Sequence, residues 1–130
     1  MPEPTAPFEA DWEITPQMIH AFGTITGADA RIHWDAEYAR GTRFGGVVAP
    51  GMLVTGLLDA WLTRLGLGWP AHGELETRYV APVRPGDRLV ARLSPIEGAS
   101  ATGPLQFGIE GRVGEALVLR GHYRPGAESG

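Results

Sequence analysis

The sequence predicts an α+β domain in which an antiparallel sheet is wrapped around one central helix. Three observations carry this reading. The segment "GMLVTGLLDAWLTRLG", which follows Pro50, is apolar nearly all round, so a helix there has to be enclosed by the rest of the fold. The second half of the chain is strand-like throughout, in short runs separated by Gly- and Pro-containing turns. The chain has 130 residues, 43% hydrophobic, with no internal repeat or low-complexity linker, which suits a single domain.

Taken in order, "FEADWEI" reads as the first strand. Thr15 then caps a short helix with Pro16 at its first position, and "PQMIHAFGTIT" puts Met18, Ile19 and Phe22 on one face, with His20 on the solvated side. A loop follows at "GADARIHW". Asp35 caps "AEYAR", and Gly41 stops that turn. The glycine-rich "GTRFGGVVAPG" leads into the central helix, which Arg64 and Gly66 end. In "GELETRYVAPV", Leu75, Thr77 and Tyr79 alternate with Glu74, Glu76 and Arg78. "DRLVARLSPI", "LQFGIEGRV" and "EALVLRGHYR" complete the sheet, joined through "RPGD", "EGASATG" and "GE" turns. Arg88, Val90, Arg92 and Arg112 fit outward or cleft-facing strand positions. Residues 1–7 and 125–130 read as disordered tails on a domain spanning 8–124.

Composition removes several chemistries. Without Cys there is no thiol nucleophile, disulfide or thiolate metal site, and without Lys there is no Schiff-base amine or Walker-type phosphate loop. All 11 basic residues are Arg, which reads first as a genomic composition bias. Ser94, Ser100 and Ser129 lie in no nucleophile elbow. The net charge of −4 gives no general attraction to nucleic acid. The longest apolar run, Gly45 to Leu62, is broken by Pro50 and Asp59, and so reads as a buried helix rather than a membrane span. The first residues, acidic and Pro-rich, lack the apolar core of a signal peptide, so a soluble cytoplasmic protein is expected. The His residues show no metal-ligand spacing, and Asp29 with His33 supplies too few ligands for a metal site. His72 and His122, at strand ends, read as structural or exposed. Acid–base work by His and carboxylates, helped by backbone donors, remains.

Three stretches together resemble one family. These are the loop "TGADARIH", the run "WDAEYARGTRFGGVVAPGML" into the central helix, and the "RYVAPVRPGD" strand and turn. Over residues 8–124 the chain resembles the MaoC-like, (R)-specific enoyl-CoA hydratases, which have the hot-dog fold. The family's loop reads Gly-Asp-x-Asn-Pro-aliphatic-His. Gly27, Ile32 and His33 agree with it, whereas its Asp falls on Ala28, its Asn on Ala30 and its Pro on Arg31. The His that commonly precedes the first helical Gly is here Pro50, while Gly51 is kept.

The resemblance implies an acyl-CoA hydratase or dehydratase, adding water to a 2-enoyl thioester or removing it from a 3-hydroxyacyl thioester. His33 is then the principal proton-transfer residue. Gly51, unobstructed by a Cβ at the positive end of the central helix, binds the thioester oxygen; the other reading of Gly51 is close packing of helix on sheet. The missing carboxylate leaves Asp29, next to the family position, and Asp59, on the helix that Gly51 opens, as candidate acids. Asp29 also reads as an ordinary turn residue and Asp59 as the partner of an Arg. Arg31 and Arg43 suit CoA phosphates. The acyl group arrives on CoA or an acyl-carrier protein, and no further cofactor, nucleic acid or membrane is expected. A homodimer or higher homo-oligomer follows from the fold. Two other activities stay open: a non-catalytic acyl-binding subunit of a heteromer, and an acyl-CoA thioesterase in which Asp59 activates water.

Overall fold

In the computed structural model of the protein, residues 8–66, 73–96 and 106–125 are described. The expected tail over 1–7, all but the first residue of the tail expected over 125–130, His72 and the "EGASATG" turn lie outside them. The chain runs as β1 (Phe8–Glu13), α1 (Pro16–Thr26), a single 3-10 turn (Arg31–His33), α2 (Ala36–Arg40), α3 (Gly51–Arg64), β2 (Glu74–Tyr79), β3 (Arg88–Pro95), β4 (Phe107–Val113) and β5 (Ala116–Arg124). All the strands join one antiparallel sheet in the order β1-β3-β4-β5-β2, so β1 and β2 form its two edges.

Period-2 alternation decides which face is which. Phe8, Ala10 and Trp12 of β1, Leu89, Ala91 and Leu93 of β3, and Phe107 and Ile109 of β4 point towards the core, while their neighbours point to solvent. The central helix α3 supplies Val54, Leu58, Trp61 and Leu62 to that core, and Trp12 meets Trp61 edge to face at 6.1 Å. On the outer face, charged pairs tie adjacent strands: Arg92 to Glu9 at 2.9 Å, Arg124 to Glu74 at 3.1 Å, His122 to Glu76 at 3.4 Å. Being exposed, they contribute little stability individually.

Two features fix where the loops go. Thr15 Oγ1 accepts the Met18 N–H at 3.1 Å and opens α1, which Gly27 ends with φ of 78°. At the "RPGD" turn, Arg84 reaches the glycine-rich connection, its guanidinium donating to the carbonyls of Phe44 and Val47. The guanidinium passes close to Gly46, where a Cβ would lie 2.8 Å from Arg84 Nη1 and would oblige the arginine to shift. The Ala49 N–H donates to Val83 O at 2.7 Å, so the approach to α3 is held against the segment after β2.

Candidate active site

The loop between α1 and α2 is built from local polar bonds. Thr26 Oγ1 accepts from Ala28 N at 3.1 Å, and Asp29 N donates to Gly27 O at 3.0 Å. A 3-10 turn follows, in which His33 N donates to Ala30 O at 3.0 Å, and the Trp34 indole N–H closes back onto Asp29 O at 2.8 Å. Asp35 caps α2 by accepting from Tyr38 N at 3.1 Å and binds Arg31 at 2.9 Å. The Tyr38 N–H, and after it the Arg31 guanidinium, hold the Asp35 carboxyl below the usual carboxylate range. Arg31 also lies over the Tyr38 ring, 4.6 Å from its centroid.

His33 is locked to the chain that leads into the central helix. Its Nδ1 lies 2.8 Å from Val48 O, and since a carbonyl only accepts, Nδ1 carries the proton. The Val48 N–H returns to Ile32 O at 3.2 Å. In the neutral ring this leaves Nε2 as the unprotonated nitrogen, ready to take a proton. The ring stands on a wall shared by two cavities. The first, about 610 Å³, runs along one face of α1 through Pro16, Ile19, His20 and Gly23 to Ala28 and Asp29. The second, about 490 Å³, is lined by Arg43, Phe44, Gly51 and Tyr79 among others.

The site residues expected from sequence thus fall into three groups. His33 and Asp29 line the first cavity, and His33, Gly51 and Arg43 the second. Arg31 is engaged with Asp35. Asp59 lines neither cavity; its negative charge, after burial, raises the pKa of Tyr123 on β5, so it stands towards that side of α3. Gly51 also serves close packing, for a Cβ on it would lie 3.3 Å from the Tyr79 ring. Sequence reasoning missed four neighbours: His20 and Trp34 in the first cavity, Tyr79 in the second, and Arg84 behind the loop. His20 alone had a readable signal, since positions 16, 19, 20 and 23 fall on one helical face. Among the described residues, no three His, Asp or Glu side chains gather as a metal would need, and no helix is long and apolar enough to cross a membrane.

A five-stranded antiparallel sheet packed on one central helix, with a loop His poised beside that helix's first turn, defines a hot-dog domain. The MaoC like domain family matches residues 2–102, and the chain belongs to that family. Its fold is similar to that of protein af1124 from Archaeoglobus fulgidus, at 27% identity and a TM-score of 0.77 over 95% of this chain and 79% of that one. The (R)-hydratase PhaJ1 from Pseudomonas aeruginosa shares the fold at 22% identity and a TM-score of 0.76, over 96% of this chain and 83% of that one. So does the HadBC complex from Mycobacterium tuberculosis, a 3R-hydroxyacyl-ACP dehydratase, at 16% identity and a TM-score of 0.68, over 92% and 93%. No curated protein matches the chain in sequence.

Proposed function

We propose that the protein hydrates a 2-enoyl thioester to the 3-hydroxyacyl thioester, or catalyses the reverse dehydration. The observation that carries this reading is the state of His33: Nδ1–H is spent on Val48 O, and Nε2 is left basic on the wall between the two cavities. Water attacks Cβ and gives its proton to His33 Nε2. The electron pair of the double bond moves towards the thioester oxygen, which the Gly51 N–H meets; as the first amide of α3 it has no partner within the helix. A proton delivered to Cα completes the addition, and Asp29, as the carboxylic acid, is the group on the first cavity that can supply it; Val48 O already orients the imidazole. The acyl chain lies along the apolar α1 wall, and the carrier arm leaves past Arg43, which stacks on Phe44 at 4.8 Å and can meet CoA phosphates. Two copies of the chain form the working unit.

A second reading has one specific observation in its favour. Ala28 lies on the cavity wall where the family pattern carries its Asp, and Ala can neither move a proton nor orient a ring. In that reading the chain is a non-catalytic acyl-binding subunit, and the Mycobacterium tuberculosis neighbour is itself a complex. The thioesterase alternative rested on Asp59 and gains nothing from a side chain outside both cavities. One assay tests all three: crotonyl-CoA, longer enoyl-CoAs and 3-hydroxyacyl-CoAs, followed at the enoyl absorbance and by release of free thiol. Loss or gain of enoyl absorbance without thiol is the expected result. An inert protein that still binds acyl-CoA overturns the enzyme reading.

A further inference from the structure

The first turn of α3 has no side-chain cap, only the main-chain bond from Leu53 N–H to Pro50 O at 3.1 Å. Its N-cap residue is Pro50, which has no side chain able to accept an N–H, and its first residue is Gly, the least restricted backbone. Yet the Gly51 N–H has to meet a thioester oxygen at a fixed position. What holds the turn from outside is Tyr79, the last residue of β2. Its hydroxyl donates to Gly51 O at 2.6 Å, and its ring packs against the face where a Cβ would stand, 3.3 Å away. A phenol has one proton, and that bond uses it. The 2.5 Å contact between Tyr79 and Thr55 Oγ1 therefore runs the other way, with the Thr55 hydroxyl donating to the phenol oxygen. Thr55 lies one helical turn beyond Gly51, where a Thr hydroxyl ordinarily bonds back to the carbonyl four residues earlier. Here the phenol is interposed, so a bond local to the helix becomes a clasp between helix and sheet.

The clasp closes a longer chain of contacts. His33 is bonded to Val48 O, Ala49 N to Val83 O, and Gly51 O to Tyr79. The imidazole and the helix's first N–H are thereby fixed to one short run of backbone, pinned at both ends to different parts of the fold.

We infer that Tyr79, with Thr55 as its donor, is a positioning residue that sets the Gly51 N–H against the thioester oxygen. This rests on the hydratase reading. Tyr79→Phe keeps the ring on Gly51 and removes only the hydroxyl. With crotonyl-CoA it lowers kcat about tenfold, the order expected when an oxyanion donor is displaced rather than lost, and leaves KM nearly unchanged. Thr55→Val shifts kcat in the same direction, and Thr55→Ser recovers most of that loss. Amide hydrogen exchange of the Tyr79→Phe protein speeds up at the first turn of α3 and not in the sheet core. An inert wild type overturns the hydratase reading and the inference together. An active wild type whose Tyr79→Phe variant keeps its kcat overturns the inference alone. So does a kcat loss with unchanged exchange at the first turn, or one accompanied by an equal rise in KM.

Discussion

At the residue scale, the site turns on which protons are already committed. His33 has one ring nitrogen fixed as a donor and one left as an acceptor, so its replacement removes a defined function. His33→Ala should lower turnover by about two to four decades while the protein stays folded, as circular dichroism would verify, because the loop keeps its main-chain bonds. Asp29, the proposed second proton-transfer group, is tested in parallel. Asp29→Asn preserves shape and hydrogen bonding but removes the ionisable proton, and should cost most of the activity. If it does not, and Ala28→Asp confers hydration on an inert wild type, the chain is a binding subunit. Asp35 gives a prediction about pH. Its carboxyl is held low in the folded state, so the cap on α2 contributes fully above the unfolded-chain pKa of about 3.9. That contribution is lost as pH falls through the lower folded value. Thermal melts of wild type and Asp35→Asn should therefore differ near neutrality and converge in strong acid.

At the scale of elements, Gly121 on β5 is the most closely approached of the described glycines. A Cβ there would fall 2.0 Å from Glu76 O on the neighbouring edge strand, with no flexible side chain to give way. Gly121→Ala should cost about 3 kcal/mol, the upper part of the range for overpacking, seen as a lower denaturant midpoint. Most elements were legible from sequence because their signals are local. Thr15 before Pro16, Asp35 before "AEYAR", and strict alternation in β1 and β3 each depend on neighbours in the chain. Where reading failed, the cause was long-range. β2 was expected to run to Val83, but it ends at Tyr79, where the Val80 and Ala81 N–H groups converge on a single acceptor, Val118 O. The 3-10 turn over Arg31–His33 has no composition of its own. The candidate site was legible as residue types that the fold brings to one cavity, His33 and Gly51, and not in its fastenings. A carbonyl such as Val48 O or Gly51 O accepts equally well under any side chain, so the sequence carries no mark of what will bind it.

At the scale of the whole molecule, the fold is an open sheet with its helix on one face, and among the described residues two strand edges are left without neighbours. The protein should be a dimer in solution, two sheets joining along an edge, and light scattering that finds a well-folded monomer at dilution would count against it. The two edges differ in one respect that bears on how far such joining goes. Along β1 the solvent-facing residues are Glu9, Asp11 and Glu13, all acidic; along β2 they are Glu74, Glu76 and Arg78. A β1 edge brought against a copy of itself sets carboxylate opposite carboxylate, offset only in part by Arg92 on Glu9 and Arg88 on Asp11, whereas β2 meets its own copy with Glu76 and Arg78 able to alternate in sign. The β2 edge is therefore the one expected to form the seam of the dimer, and an assembly made that way should stop at a pair, with its acidic rims outward, rather than grow into a fibre.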